Sequence, residues 1–373
     1  MDIEQNLFDY QFDINKRIHT ESNRNYNQRN KKIIIENNTL KQINMSNKIN
    51  NSKFDYHWYF KYGYEYTNNL TVFDCFSCGG GSTMGYKLAG YNHLGGIDLD
   101  SRLEEIYKSN HNPKFYYNQD IRDFNNRNDL PSELYDLDIL NGSPPCKNFS
   151  INGLRKLDDL IFSFCETINK LKPKIAIIEN VKGLITTSAK QYILELVNVL
   201  NSIGYDSQIF LLNSATMGVP QKRERVFIIA SKQELKFQQL NLGFYCKPIH
   251  YGNVKGSLGK EISKNDKSIW NNRTYGDRGF NNTIKRINGK YQRFNTRYIY
   301  KELVCPTILS DNGSIYVEFD NPNVLSKEKL CQIGTFPIDY DFKKMNPKYL
   351  IGMSVPPVMM AQIAYQIYKQ WFK

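Results

Sequence analysis

One cysteine of the chain stands in a setting that suits a nucleophile. Cys146 follows the apolar, strand-like run Leu137–Leu140 and ends the turn Gly142-Ser143-Pro144-Pro145-Cys146. Consecutive prolines fix φ and remove two N–H donors, so the backbone cannot continue a sheet ladder there. A rigid turn that presents a thiol just past a strand end favours covalent catalysis. This stretch alone leaves open the alternative that Cys146 is a small buried hydrophobic residue.

Three charged residues follow at later strand-like runs. Glu179 comes directly after the apolar run Ile175–Ile178, and Arg223 and Arg225 lead into the run Val226–Ala230. A carboxylate at the exit of a strand, beside a candidate nucleophile, is a pairing suited to acid–base catalysis. Charges alternating into a strand often mark a solvated edge, but two arginines that enter a buried strand more plausibly direct their guanidinium groups at a ligand or a phosphate.

The elements that must position these residues begin at Leu70. The pattern predicts a strand over Leu70–Phe76, a glycine turn over Ser77–Ser82 and a helix over Thr83–Ala89, which together form the first unit of a doubly wound α/β sheet. Glycines let a ligand approach the backbone, and the helix N-terminus adds N–H donors. The pair Cys75-x-x-Cys78 is not interpreted as a zinc or redox site, because no second such pair or His pair accompanies it.

Acidic residues follow the next two predicted strands. Asp98 comes after the run Leu94–Ile97, where nucleoside-binding sheets hold ribose hydroxyls, whereas Asp100 fits a helix N-cap better. Asp120 stands where a third strand should end and can meet the exocyclic amine of an adenine ring. Three strand ends with these features predict a nucleoside cofactor.

Composition indicates the partner. The 373 residues carry a net charge of +12, which favours a polyanionic partner, nucleic acid first. Basic and aromatic residues are interleaved between Ser231 and Leu303, as in a nucleic-acid contact surface, although a solubilising insertion is the alternative. The 7 scattered cysteines indicate a reducing compartment. We find neither a signal-peptide core nor a run near the ~18 apolar residues of a membrane span, so we expect a cytoplasmic protein without a membrane partner.

Six separated motifs make residues 70–373, with a gap over the middle segment, resemble the DNA (cytosine-5) methyltransferases. They occur in the order of that family: Asp74-x-Phe76-x-x-x-Gly80-Gly81, Pro144-Pro145-Cys146-x-x-Phe149-Ser150, Glu179-Asn180-Val181, Gln221-x-Arg223-x-Arg225, Phe336-Pro337 and Gly352-x-Ser354-Val355-Pro356. The resemblance implies an α/β fold with a Rossmann-like S-adenosylmethionine-dependent methyltransferase sheet and a small, irregular target-recognition domain. The expected divisions are an extension, partly disordered, over 1–68, a catalytic and cofactor-binding domain over 69–230, a target-recognition region over 231–304 and a returning segment over 305–373.

The resemblance also implies a mechanism. The Cys146 thiolate would add to C6 of a cytosine flipped out of double-stranded DNA, Glu179 would contact N3, and Arg225 with Arg223 would hold the carbonyl edge of the base and nearby carboxylate and phosphate groups. The methyl group would pass from S-adenosylmethionine to C5 without a metal. By resemblance the cofactor site comprises Phe76, Gly80, Gly81, Asp98, Leu99, Asp120, Ile121, Gly142, Leu160, Ser354 and Val355.

Three departures from the family pattern stand beside these matches. Cys78 replaces the first glycine of the cofactor turn, Met353 replaces an Asn, and the stretch 150–160 is short and lacks an Asp-x-Arg. The resemblance implies a monomeric, sequence-specific enzyme of a restriction–modification system or phage, with a separate cognate endonuclease as partner. The alternatives are a transfer-RNA cytosine-5 methyltransferase and a catalytically silent DNA-binding relative.

Overall fold

The computed structural model describes residues 56–60, 67–145, 159–186, 189–290 and 295–373. A seven-stranded sheet has the strand order β3-β2-β1-β4-β5-β8-β6. Neighbouring strands are parallel except β8, which is antiparallel to both β5 and β6. Its strands are β1 Thr71–Cys75, β2 Asn92–Asp98, β3 Phe115–Asn118, β4 Ile139–Gly142, β5 Ile175–Val181, β6 Tyr205–Asn213 and β8 Glu224–Lys232. This is the predicted Rossmann-like α/β sheet. The short strand β7 Gln221–Lys222 lies outside this sheet.

Helices cover both faces of the sheet. They are α1 Gly81–Leu88, α2 Ser101–His111, α3 Ile121–Asn125, α4 Asp159–Leu171 and α5 Lys190–Ser202. Apolar residues alternate along the strands, so that Val72 and Ile139 belong to one core with α1 and α2, while Phe73 and Leu140 belong to a second core with α3, α4 and α5. This two-sided burial explains why the central strands read as continuous apolar runs.

The strands end level with one another. Cys75 of β1 is paired in register with Ile97 of β2 and with Gly142 of β4, and Gly142 is paired with Ile178 of β5. The strand order runs outward in two directions from the β1–β4 pair, and such a reversal leaves a crevice at the carboxyl ends of the strands. Residues just beyond this row therefore converge on one edge of the sheet.

The chain returns to the sheet at its end. The elements here are β10 Cys305–Pro306, α8 Lys327–Gly334, α9 Pro347–Met353 and α10 Pro357–Ile367, followed by a π-helical turn over Tyr368–Phe372. Proline stands at the start of α9 and of α10, where its missing N–H costs no hydrogen bond. Within the part of the chain that the structure describes, the stretch Pro347–Phe372 has the length and hydropathy of a membrane span, and 83% of its apolar window is buried inside the protein. Packing against α1 accounts for that apolar surface.

A small unit lies between the two parts of the sheet domain in sequence. It contains α6 Lys264–Asn271, α7 Phe280–Asn288 and the parallel strands β9 Thr296–Ile299 and β11 Ile315–Glu318. Its own core includes Trp270, Phe280 and Val317. Among the described residues of 231–304, two short α-helices and a strand occur between irregular segments.

Two predicted boundaries differ from the structure in a way that affects the site. Glu179 was expected beyond the end of a strand, yet β5 continues to Val181. Arg225 was expected before a strand and lies within β8, opposite Val181. Antiparallel pairing between β5 and β8 extends both strands, and a tertiary pairing of this kind is not encoded in either segment alone.

A buried ion pair joins the small unit to the returning segment. Lys329 Nζ in α8 lies 2.5 Å from Glu318 Oε1 at the end of β11, and both side chains are less than 10% exposed. The Tyr251 hydroxyl donates to the same carboxylate oxygen at 2.8 Å.

We predict that Lys329→Met lowers the free energy of unfolding by about 3 kcal/mol, because the Glu318 charge stays buried without its partner.

The control for this prediction is the double variant Glu318→Gln with Lys329→Met. Since it removes both charges, it should recover most of the lost stability, as measured by thermal or urea denaturation. Equal destabilisation by the single and the double variant would contradict the role assigned to the ion pair.

Candidate active site

A cavity of about 940 Å³ opens at the level row of strand ends. The segments that follow β1 and β4, residues of β2, β5 and β8, and α9 with the segment after it contribute to its wall. Of the residues expected from sequence to form the site, those that line the cavity are Phe76, Gly81, Asp98, Leu99, Asp120, Ile121, Leu160, Glu179, Arg223, Arg225, Ser354 and Val355. The cavity therefore brings most of the expected cofactor residues together with Glu179, Arg223 and Arg225 in one space.

Two expected residues are placed differently, and the third one named here, Cys146, is not described. Gly80 is the N-cap of α1 and faces His111. Gly142 ends β4 and packs on Phe164, whose ring would lie 2.6 Å from a Cβ at that position. Cys146 lies outside the described residues and follows Pro145, which lines the cavity, in the sequence.

The turn between β1 and α1 is tightly constrained. Phe76 and Cys78 have φ values of 56° and 48°, a left-handed conformation that costs non-glycine residues energy. Gly81 approaches the returning segment so closely that a Cβ would lie 2.4 Å from Val355 O. Cys78 therefore carries a strain that glycine would not carry, and Gly81 occupies a position that needs glycine.

Asp98 supports this turn from the neighbouring strand. Its carboxylate accepts the backbone N–H of Cys78 at 2.8 Å and that of Asp100 at 2.9 Å. Burial raises the pKa of Asp98 above its ordinary value, and these two hydrogen bonds oppose the shift. Asp100 caps α2 by accepting the N–H of Arg102, so the assignment of the N-cap to Asp100 rather than Asp98 is confirmed. Asp98 caps none of the helices that the structure describes and lines the cavity.

Leu99 and Asp120 stand at the outer wall of the cavity. Leu99 is 66% exposed, an unusual exposure for a large apolar side chain at the end of a strand. Asp120 caps α3, and both of its carboxylate oxygens accept hydrogen bonds from the Arg122 side chain. This pairing lowers the pKa of Asp120. An adenine amine would have to share these oxygens with Arg122.

Glu179 and Arg225 form an ion pair across the β5–β8 pairing. Arg225 Nε lies 3.1 Å from Glu179 Oε1, and the two side chains are 15% and 11% exposed. Arg225 also donates to Glu224 O at 2.8 Å. The pair leaves an acceptor and donors at the cavity wall, which is the complement of a ring that carries an imine nitrogen beside a carbonyl.

Arg223 is buried, and its side chain donates hydrogen bonds to backbone carbonyls. Its side chain donates to Ile308 O at 3.3 Å and to Gly352 O at 2.9 Å, and the residue is 2% exposed. Burial lowers the pKa of Arg223 to about 9, and the positive charge of Arg225 adds to the effect. The guanidinium therefore connects the backbone at Ile308 and at Gly352 to the start of β8, the strand that carries Arg225.

Other residues reach the site without having been predicted. Asn180 donates from its side chain to Pro144 O at 3.2 Å and so fixes the base of the Pro-Pro turn to β5. Ser310, Tyr349 and Met353 line the cavity from distant parts of the chain. Asn180 belongs to a motif recognised in the sequence, although no role had been assigned to it, whereas Ser310 and Tyr349 carry no local signal. Among the described residues, no group of three or more His, Cys, Asp or Glu side chains could hold a metal ion.

Comparison with known proteins gives one consistent family. A model described as C-5 cytosine-specific DNA methylase matches residues 70–369. The type II methyltransferase M1.HphI of Haemophilus parahaemolyticus is 25% identical over 331 residues, which cover 82% of this chain and 88% of that protein. M.DdeI of Desulfomicrobium norvegicum is also 25% identical, with 81% of this chain and 89% of that protein covered.

Solved structures share the fold. A putative DNA modification methyltransferase encoded within an Escherichia coli prophage superposes with a TM-score of 0.60 at 18% identity and covers 82% of this chain and 100% of that chain. A DNMT2 variant from Spodoptera frugiperda gives 0.58 at 16% identity, again over 82% of this chain and 100% of that chain. At these identities the likeness establishes the fold alone.

The cofactor turn generates a test with an internal control. At Gly80, φ is +77° and a Cβ would lie 2.1 Å from His111 Nε2, whereas Gly204 has φ +89° and open space. We predict that Gly204→Ala costs about 1–2 kcal/mol from backbone strain alone. Gly80→Ala should cost about 1–3 kcal/mol more, because the new methyl group displaces His111.

Thermal denaturation of the two variants measures this difference. If Gly80→Ala and Gly204→Ala lowered stability equally, the steric account of the turn would be wrong.

Proposed function

The chain belongs to the C-5 cytosine-specific DNA methylase family, and we propose that it methylates C5 of a cytosine in DNA through a covalent adduct with Cys146. The observation that carries this proposal is the shared cavity. The Glu179–Arg225 pair and the turn beside Asp98 face the same space, and Asn180 joins the Glu179 strand to the Pro144-Pro145 turn that precedes Cys146. A base and a methyl donor could therefore meet there.

The nucleophile would be the thiolate of Cys146. Position C5 of cytosine is weakly nucleophilic, and addition of the thiolate to C6 converts it into the carbon of an enamine. Glu179 would hydrogen-bond N3 and share a proton with it, which offsets the negative charge that develops as the C6–S bond forms. After the ring gains its methyl group, loss of the C5 proton to a base lets the C6–S bond break and returns the electron pair to the Cys146 sulfur.

The two arginines would take different parts. Arg225, which pairs with Glu179 through Nε, would donate to the carbonyl edge of the base and hold the carboxylate in place. Arg223 already donates hydrogen bonds to Ile308 O and Gly352 O. It would therefore stabilise the wall of the cavity and would not donate both Nη groups to the base. This division follows from the partners that each guanidinium has.

The residues around the turn fit S-adenosylmethionine. That cofactor, when bound, supplies an electrophilic methyl group on a sulfonium sulfur. The Asp98 carboxylate would accept hydrogen bonds from the ribose hydroxyls, and the exposed side chain of Leu99 would cover one face of the adenine. Gly81 and the N-terminus of α1 would allow close approach of the methionine part, with Ser354 and Val355 opposite. Asp120 would meet the adenine amine, and Phe76, Ile121 and Leu160 would complete the apolar wall.

The DNA would reach the cavity from the side of the small unit. The net charge of +12 favours the phosphate backbone, and Arg278 and Arg297 are exposed on the small unit. The target base must leave the stack to reach an enclosed site, which costs a few kcal/mol. We propose residues 69–230 as the catalytic domain, 231–304 as the target-recognition region, 305–373 as the returning segment and 1–68 as an extension. The strand β11 of the returning segment completes the small unit by pairing with β9.

The biological setting is inferred from the relatives. Because M1.HphI and M.DdeI are type II methyltransferases, we propose that this protein modifies a specific sequence in double-stranded DNA. It would act as a monomer in the cytoplasm, separately from a cognate endonuclease.

Methyl transfer tests the proposed function directly. The protein is incubated with radiolabelled S-adenosylmethionine and unmethylated genomic DNA, and 5-methylcytosine is then mapped at base resolution. Label at one short recurring sequence is the expected result. Label on transfer RNA but not on DNA would support the transfer-RNA alternative, and no label on either would support the silent relative.

The carboxylate at the cavity wall yields a quantitative prediction. Glu179→Gln should lower kcat about 100-fold, because the amide cannot take or give the proton shared with N3. The matched control is Glu224→Gln. Glu224 lies on the neighbouring strand, pairs with Lys182 at 3.1 Å and is partly exposed. The kcat of Glu224→Gln should therefore stay within a few-fold of that of the unaltered enzyme.

Steady-state methylation of a DNA duplex that carries the mapped site gives kcat for both variants. Equal losses from Glu179→Gln and Glu224→Gln would remove the proton-sharing role from Glu179.

A further inference from the structure

A short aromatic segment that precedes the family-matched region packs on the back of the sheet domain. Trp58 is 8% exposed, its indole N–H donates to Thr335 O at 3.2 Å, and its carbonyl accepts the N–H of Ile338 at 2.8 Å. The N–H of Phe60 donates to Asp339 Oδ1 at 2.7 Å. The family match begins at residue 70, so this segment lies before the matched region.

Phe60 contacts the two side chains that hold the cofactor turn. Its ring centroid lies 5.6 Å from that of His111 and 6.0 Å from that of Tyr340. His111 Nε2 lies 3.0 Å from Gly79 O, and the Tyr340 hydroxyl donates to the same oxygen at 2.5 Å. Because a carbonyl only accepts, Nε2 of His111 carries the proton. One carbonyl of the turn is thus fixed by two donors, and Phe60 packs on both.

The turn needs this support. Phe76 and Cys78 adopt left-handed conformations, and such strain persists only where surrounding structure maintains it. The space behind the turn is filled, since a Cβ on Gly79 would lie 2.1 Å from Leu350 Cδ2. Removing one of the packed rings would therefore let the supports of Gly79 shift.

A second contact from before residue 70 holds the other end of α1. The N–H groups of Thr67 and Asn68 donate to Gly90 O at 3.1 and 3.2 Å, and the Asn68 side chain donates to Ala89 O at 3.2 Å. Both the beginning and the end of the turn–helix unit are thereby held by residues that precede the family region.

We infer that Phe60 is a positioning residue for the cofactor, because its ring packs on His111 and Tyr340, keeps them on the Gly79 carbonyl and so holds the turn in its binding conformation. Trp58 anchors the segment that carries Phe60. The inference rests on the proposed function, since it takes S-adenosylmethionine as the ligand of the turn. Loss of this support would lower the population of the binding-competent turn, and the apparent affinity would fall by the same factor.

The test compares Phe60→Ala with Phe237→Ala by calorimetric titration of the full-length protein with S-adenosylmethionine. Phe237 is a matched control, because it is also a half-buried phenylalanine against the same core, stacked on Trp371 at 4.9 Å and placed outside the cavity wall. Phe60→Ala should weaken cofactor binding about tenfold, which corresponds to about 1.4 kcal/mol. Phe237→Ala should lower Tm comparably and leave the affinity unchanged.

Two further measurements separate positioning from general destabilisation. Phe60→Tyr, which keeps the ring, should bind the cofactor as the unaltered protein does, and Phe60→Leu provides a milder loss if the alanine variant fails to fold. Binding of the Phe60 variants to a DNA duplex should not change. Equal cofactor affinities in Phe60→Ala and Phe237→Ala would overturn the inference, whereas no binding by the unaltered protein would overturn the cofactor assignment on which it rests.

Discussion

The hydrogen-bond register of four parallel strands is the constraint on which the site depends. Ile97, Cys75, Gly142 and Ile178 lie in one row, and the strand order reverses between β1 and β4. Phe76, Asp98 and Glu179 each follow this row by one residue. A shift of one strand by one residue would turn its side chains to the opposite face and separate the Asp98 side of the cavity from the Glu179 side.

The returning segment closes the site that the sheet opens. Ser354 and Val355 press against Gly81, and Arg223, just before β8, donates to Gly352 O, so the C-terminal stretch is held against both halves of the cavity. The packing tolerates no Cβ at Gly81, where Val355 O would be 2.4 Å away. A Cβ would also lie 2.1 Å from Leu350 Cδ2 at Gly79 and 2.1 Å from His111 Nε2 at Gly80. The glycines of the turn thus serve close packing.

Much of this arrangement could be predicted from the residues alone. Apolar runs located the strands, and the capping role of Asp100 followed from its position before a polar helix start. The extension of β5 past Glu179 could not be predicted, because it depends on pairing with β8. The same holds for Arg223, whose partners Ile308 and Gly352 lie far along the chain. Trp58 and Phe60 gave no interpretable signal, since an aromatic cluster in an Asn- and Lys-rich segment does not reveal what it packs on.

The central claim is that Cys146 forms a covalent bond with C6 of a cytosine in DNA. DNA carrying 5-fluorocytosine at the methylated site tests it most directly. Release of the enzyme requires the C5 hydrogen to leave as a proton, and fluorine cannot leave in this way, so the covalent adduct persists. In the presence of S-adenosylmethionine we expect a denaturation-resistant protein–DNA complex, with peptide mass spectrometry placing the bond on Cys146 and no complex from Cys146→Ala. A complex that survives in Cys146→Ala, or a bond on another residue, would contradict the account.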